Sequence, residues 1–113
     1  MADSPKHFFR GKLVGIIATV LFVGSLLLYV STMAPSVVPG DSVEFQFVPY
    51  ILGIAHPPGY ALYILLGKLF TFLPLGSVAY RMNLFTALWG ALTVSLTYPI
   101  SLSTASSPPL SAQ

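Results

Sequence analysis

The stretch LVGIIATVLFVGSLLLYVSTMA, residues 13–34, decides the fold because it contains no formal charge. A helix rises about 1.5 Å per residue, so a run of this length can cross the roughly 30 Å hydrocarbon core of a membrane. A cleaved signal peptide is the rival interpretation, but its apolar core is usually only about 7–15 residues long. The length of the run therefore predicts a retained first transmembrane helix.

The segments on either side of this helix indicate its orientation. Residues 1–12 form a polar arm with three Lys or Arg residues and one Asp, and such positive charge is retained in the cytoplasm. Pro35 and the Pro39–Gly40 pair end the helix, because proline lacks a backbone donor and disfavours helical geometry in the residue before it. We therefore predict a cytoplasmic arm and an extracytoplasmic loop over residues 35–58.

Two further apolar runs follow. Residues 82–100 carry no charge and predict a second transmembrane helix, whereas the run within residues 59–73 is short and contains Lys68, which favours an interfacial or re-entrant helix. If this middle segment also crosses, the chain has three spans rather than two and its C-terminus lies outside. Residues 101–113 are rich in Ser, Pro and Ala, which predicts a disordered tail.

The composition agrees with a membrane protein. Hydrophobic residues make up 55% of the 113 residues and charged residues 7%, whereas a soluble domain usually carries about a quarter charged residues. A net charge of +2 gives no basic surface for nucleic acid, and the absence of cysteine excludes disulfides, thiolate metal sites and a cysteine nucleophile. We predict an all-α membrane protein with two or three transmembrane helices and an interfacial helix.

Two acids in the predicted loop are candidates for chemistry. Asp41 and Glu44 lie three residues apart, so a helix that begins at Ser42 would make them neighbours. Paired carboxylates beside a low-dielectric boundary can act as acid and base or hold a hard cation. The alternative is that Asp41 or Ser42 caps a short helix and Glu44 favours its positive end.

Further polar candidates lie at corners of the chain. The segment HPPGY, residues 56–60, presents His56 and Tyr60 on a corner made rigid by two prolines, and the histidine could bind phosphate or move a proton. Arg81 and Asn83 flank the start of the last apolar run, where an arginine can bind a lipid-linked phosphate. Local hydrogen bonding for the histidine and snorkelling to the headgroups for Arg81 remain the alternatives.

These residues occur in four ordered motifs: AP at residues 34–35, GDSVEF at 40–45, LGIAHPPGY at 52–60 and LPLGSVAYRMNL at 73–84. Together they resemble the transmembrane protein 260 family. The resemblance implies the N-terminal part of a GT-C-type membrane glycosyltransferase. Animal members resemble O-mannosyltransferases of the endoplasmic reticulum that transfer mannose from a dolichyl-phosphate donor to Ser or Thr of an acceptor protein.

The resemblance also implies roles for individual residues. Asp41 becomes the candidate general base, with Glu44 as its catalytic neighbour, His56 and Tyr60 shape the site, and Arg81 or Asn83 faces the phosphate of the donor. The expected partners are membrane lipid, the lipid-phosphate-linked sugar donor and an acceptor hydroxyl. No metal ligand is assigned. The expected location is a multi-pass position in the endoplasmic reticulum membrane of a eukaryote or the inner membrane of a prokaryote.

The chain departs from the family in two local positions and in length. Val43 stands where the family usually has glycine, and Ala61 where proline usually follows the Gly-Tyr pair. GT-C enzymes use many helices to enclose both substrates, so the sequence predicts an N-terminal fragment that has no transferase activity alone. The alternative is a small non-enzymatic membrane anchor or helix-packing subunit.

Overall fold

The computed structural model describes residues 5–57 and 60–112, and within these ranges all regular structure is helical. This confirms the predicted all-α class. The helices are α1 (Pro5–Thr32), α2 (Ser42–Ile51), α3 (Ala61–Thr71) and α4 (Val78–Ser106), followed by a 3₁₀ turn, Leu110–Ala112.

Two of the helices are long and apolar enough to cross a membrane. They are α1 and α4, with 28 and 29 residues, which correspond to about 42 Å each. None of the residues of α1 is buried against the rest of the described chain, so its apolar side chains need lipid or another protein around them. Helix α3 has 11 residues, about 16 Å, and is too short to cross the hydrocarbon core by itself.

The helix ends differ from the segments predicted above. Helix α1 begins at Pro5, within the predicted polar arm, and proline suits the first turn of a helix because its missing N–H has no partner there. The predicted loop over residues 35–58 contains the whole of α2. Residues 1–4, 58, 59 and 113 lie outside the described residues.

Helix α4 continues into the segment predicted to be a disordered tail. It ends at Ser106, and the hydroxyls of Ser101 and Thr104 donate to the carbonyls of Thr97 and Ile100, four residues earlier. These bonds give the polar side chains partners inside the helix. Two prolines at residues 108–109 then prevent the helix from continuing.

The described chain forms two compact units. One unit, Tyr29–Trp89, contains α2, α3 and the first part of α4, with Ile64, Met82 and Phe85 buried in its core. Gly67 allows the close approach of helices in this unit: a Cβ there would lie 2.7 Å from Met82 Cε and 3.1 Å from Pro49 Cβ. The absence of a side chain at Gly67 therefore brings α2, α3 and α4 together.

The other unit comprises Met1–Leu28 and Gly90–Gln113. The hydroxyl of Ser95 on α4 donates to the carbonyl oxygen of Ala18 on α1 at 2.7 Å, and Ala91 on the same stretch of α4 is fully buried. Small and hydroxyl side chains at such a contact let two apolar helices approach closely. This hydrogen bond joins the two helices that are long enough to cross a membrane.

The end of α2 directs the chain towards the polar segment that follows. Leu52 adopts the left-handed conformation with φ of 53°, and its N–H donates to the Pro49 carbonyl while that of Gly53 donates to the Val48 carbonyl. This is the Schellman arrangement of a helix C-terminus, which usually has glycine at the left-handed position. The turn is followed by Ala55, which is 2% exposed and anchors the chain just before His56.

Candidate functional site

Glu44 and His56 form an ion pair in the segment between α1 and α3. Glu44 lies in the first turn of α2, and the turn after α2 brings His56 back to it across twelve residues. One carboxylate oxygen of Glu44 accepts the His56 backbone N–H at 2.5 Å, and the other lies 2.6 Å from His56 Nδ1. Because an ionised carboxylate can only accept, Nδ1 carries the shared proton and Nε2 is left for another partner.

The contact stabilises the charged form of both partners. The hydrogen bond from His56 is the main cause that lowers the pKa of Glu44, and the hydrogen bond to Glu44 is the main cause that raises the pKa of His56. The Glu44 charge raises the pKa of His56 further, and the Asp41 charge adds to this in the same direction. Both side chains are partly exposed, so solvent screens the pair.

Two aromatic rings, those of Phe45 and Tyr60, lie beside the histidine. The ring of Phe45 lies edge-on to those of His56, Tyr60 and Tyr63, with centroid distances of 5.6, 5.2 and 5.6 Å, and the His56 and Tyr60 centroids are 6.0 Å apart. Tyr60 adopts φ of 48°, which is uncommon for a residue with a Cβ. The structure thus brings two of the predicted site residues, His56 and Tyr60, to the acid motif.

Asp41 stands at the N-cap position of α2 but does not cap the helix with its side chain. Its backbone is already helical, with φ of −60° and ψ of −23°, and its side chain makes no capping hydrogen bond. The residue is exposed. The predicted capping role is therefore not observed for Asp41, and the two acids have different surroundings: Glu44 binds His56, whereas Asp41 faces outward near this pair.

Arg81 binds backbone carbonyls in the connection between α3 and α4. Its Nε donates to the Leu75 carbonyl at 2.8 Å, its Nη1 to that of Thr71 at 2.6 Å and its Nη2 to that of Gly76 at 3.1 Å. Such a set of bonds uses the fork geometry of the guanidinium to hold a turn. These contacts do not bring Arg81 to the Glu44–His56 pair.

Asn83 is likewise used inside the structure, and it has a partner that sequence reasoning missed. Gln46 on α2 is only 4% exposed, and its Nε2 donates to Asn83 Oδ1 at 2.9 Å. Asn83 Nδ2 in turn donates to the Ala34 carbonyl at 2.8 Å. The only signal in the sequence was an amide between two phenylalanines, Phe45 and Phe47, in an otherwise apolar stretch.

Among residues 5–57 and 60–112, no group of three or more His, Asp or Glu side chains lies close enough together to hold a metal ion. The chemistry that the arrangement supports directly is proton transfer and hydrogen bonding by an exposed carboxylate beside an oriented imidazole.

The fold and the site together define a class: an all-helical, membrane-associated protein with an acid- and histidine-bearing segment between two long apolar helices. Residues 41–107, more than half of the chain, match the family described as the N-terminal domain of protein O-mannosyl-transferase TMEM260. The chain belongs to this family. This match confirms the resemblance found in the motifs. The matched region includes the positions of all six predicted site residues.

Two relatives give the extent of the similarity. The chain is 43% identical over 89 residues to a mouse protein named protein O-mannosyl-transferase TMEM260. The aligned region covers 78% of this chain and 12% of the mouse protein. It is 35% identical over 81 residues to a Dictyostelium discoideum protein of the same name. That aligned region covers 69% of this chain and 10% of the relative. The chain thus spans about one eighth or less of these relatives. No solved structure matches it.

Proposed function

We propose that the chain is the N-terminal part of a membrane glycosyltransferase of GT-C type that transfers mannose from a polyprenyl- or dolichyl-phosphate donor to a Ser or Thr hydroxyl of an acceptor protein. The names of the two relatives support the transferase class and the protein acceptor. The apolar helices support a lipid-borne donor, because the segment that carries the two acids follows α1 directly in the chain, and the end of a membrane-spanning helix lies where a lipid phosphate meets water.

Asp41 is the proposed general base. One observation carries this assignment: Glu44 is engaged by His56 through both carboxylate oxygens, whereas Asp41 is exposed and makes no capping bond. A base must approach the proton that it removes to within hydrogen-bond distance, and only a carboxylate that is not already engaged can do so without breaking a contact. Asp41 would take the proton of the acceptor hydroxyl as its oxygen bonds to the anomeric carbon of mannose. The bond from that carbon to the phosphate oxygen breaks at the same time, and the lipid phosphate leaves.

The remaining site residues have supporting roles in this proposal. Glu44 holds the His56 ring, and His56 with Tyr60 forms the wall of the site. To bind the donor phosphate, Arg81 would have to exchange carbonyl contacts in the α3–α4 connection for contacts with the phosphate oxygens.

The decisive experiment uses a full-length protein. The matching region of the mouse relative is replaced by this chain, and O-mannosylation of an acceptor is measured in membranes. We expect the chimera to be active and Asp41→Asn to lower its kcat by about 10²-fold or more, the usual contribution of a general base. Asp3→Asn is the matched control, because it makes the same change in the N-terminal arm. Unchanged activity in Asp41→Asn would instead favour the non-enzymatic anchor.

The isolated chain provides a second test. The purified 113-residue chain in lipid is expected to transfer no mannose from the lipid-linked donor, because it supplies only a small part of the relatives' length. Turnover by the isolated chain would contradict this.

The proposed orientation places Asp41 on the lumenal or periplasmic side and the chain in the membrane as a multi-pass protein. The chain has no cysteine, so a single cysteine is a clean probe of side. Ser42→Cys should react with a membrane-impermeant maleimide only from the lumenal side. Labelling of Ser107→Cys from the cytoplasmic side would indicate two transmembrane spans, whereas labelling from the lumenal side would indicate three. Cytoplasmic labelling of Ser42→Cys would refute the proposed orientation.

A further inference from the structure

A chain of hydrogen bonds through two side-chain amides, the buried Gln46 and the partly buried Asn83, ties α2 and α4 to the segment that precedes Asp41. The Val38 backbone N–H donates to Gln46 Oε1 at 3.3 Å, Gln46 Nε2 donates to Asn83 Oδ1 at 2.9 Å, and Asn83 Nδ2 donates to the Ala34 carbonyl at 2.8 Å. All four residues lie in the unit Tyr29–Trp89. The amides therefore hold residues 34 and 38, near the two ends of one short segment.

The orientation of each amide is determined by its neighbours. A backbone N–H can only donate, so Gln46 must present its oxygen to Val38 and its nitrogen to Asn83. A backbone carbonyl can only accept, so Asn83 must present its nitrogen to Ala34 and its oxygen to Gln46. Each amide fits in one orientation, and a flip of either would leave two donors or two acceptors facing each other where water has limited access.

The held segment leads directly to Asp41. After residue 38 the chain turns at Pro39 and Gly40, where Gly40 has φ of 96°, and the Gly40 and Asp41 carbonyls accept the first hydrogen bonds of α2. A helix of ten residues is too short to be stable without tertiary contacts. The position of its first turn therefore depends on what anchors the chain before it.

We propose that Gln46 is a positioning residue of this protein: oriented by Asn83, its buried amide fixes residues 34–38 and thereby holds Asp41 beside the Glu44–His56 pair. The part of this inference that concerns catalysis rests on the function proposed for Asp41. The structural part, that Gln46 holds residues 34–38, does not rest on that function, because it can be measured in the chain itself without any transfer reaction.

Hydrogen exchange tests the anchor directly. In the intact chain in lipid nanodiscs, Gln46→Leu should make the Val38 amide exchange about tenfold faster, since the loss of one such bond exposes that amide. Asn83→Leu should have a similar effect although Asn83 does not touch Val38, because it removes the partner that orients Gln46. The Gly53 amide, bonded to Val48 at the other end of α2, should be unaffected and reports that α2 is still folded.

Coupling between Asp41 and His56 tests the positioning without an activity assay. The Asp41 charge contributes to the raised pKa of His56, so Asp41→Asn should lower the pKa of His56 in an NMR titration of the intact chain. With Gln46→Leu present, Asp41→Asn should lower it much less, because Asp41 is no longer held near the ring. Phe47→Leu, a change at an exposed neighbour on the same helix, should leave the coupling intact.

In the active chimera, Gln46→Leu should lower kcat about tenfold and change the donor KM less than about twofold, as expected when a base is misplaced but binding is retained. Phe47→Leu should change neither. An unchanged Val38 exchange rate in Gln46→Leu, or Asp41–His56 coupling that persists in it, would overturn the inference. An active Asp41→Asn chimera would remove the proposed base but leave the exchange and coupling results to stand alone.

Discussion

The glycine at the centre of the helical unit offers a direct test of the packing. In Gly67→Ala the new methyl would meet Met82 Cε at 2.7 Å and two ring atoms of Pro49 at 3.1 and 3.2 Å. The end of the methionine can swing away, but the proline ring is part of α2 and cannot. Overpacking of this kind lowers the free energy of unfolding by about 1–3 kcal/mol. The better helix propensity of alanine raises it by about 1 kcal/mol. We expect a net loss of about 1 kcal/mol, or about fivefold in the unfolding equilibrium.

The measurement uses the absence of cysteine in the chain. Ala79 is 1% exposed in the same unit as Gly67, so Ala79→Cys with a fluorogenic maleimide reports unfolding of that unit. The matched control is Gly15→Ala, where an added Cβ meets nothing within 4 Å. Unfolding of its unit is measured by maleimide labelling of Ala91→Cys, because Ala91 is fully buried in that unit. The control should be stabilised by about 0.5–1 kcal/mol. If Gly67→Ala were stabilised by the same amount, the close approach at Gly67 would be refuted.

Three further predictions concern the site and its supports. His56 should titrate in NMR with a raised pKa, and Glu44→Gln should lower that pKa. The stability that the raised pKa of His56 contributes is present below the ordinary value of 6.5 and is lost as pH rises through the raised value. The stability that the lowered pKa of Glu44 contributes is lost as pH falls through that lowered value. An unchanged His56 pKa would exclude the ion pair. Leu52→Gly should stabilise α2 by about 1 kcal/mol, because glycine adopts φ of 53° without strain, and slower exchange of the α2 amides is the readout; faster exchange would contradict it. Ser95→Ala should destabilise the contact with Ala18 by about 0.6 kcal/mol, measured as a shift in thermal unfolding; no shift would mean that the bond contributes nothing.

The different surroundings of Asp41 and Glu44 matter for any function of the site. The two acids are three residues apart, yet one is neutralised by a histidine and the other is not. Because both carboxylate oxygens of Glu44 bind His56, Asp41 is the acid of this motif whose side chain is exposed and makes no capping hydrogen bond. An exposed carboxylate that is not engaged in such a pair is what the proposed general base requires.

Much of the fold follows from local properties of the sequence. The long uncharged runs determine α1 and α4, since the transfer of apolar side chains from water depends on composition and length and not on partners. The prolines that end α1 and the four ordered motifs that mark the family can also be read residue by residue. Even where the predicted boundaries differ, as at Pro5 and Ser106, the helix itself was expected.

The site depended on contacts between residues far apart in the chain. Glu44 and His56 are twelve residues apart, and Gln46 and Asn83 are thirty-seven. Neither pairing follows from the periodicity of a helix, and Arg81 binds backbone carbonyls, which every residue has and which leave no trace in a sequence. The amino-acid sequence by itself determined a helical membrane chain and its family, because hydrophobicity and motifs are local. Only the tertiary structure decided which acid is paired, which is exposed and which side-chain amides hold the segment before it. Hydrogen bonds require a specific path of the backbone to bring donor and acceptor within about 3 Å.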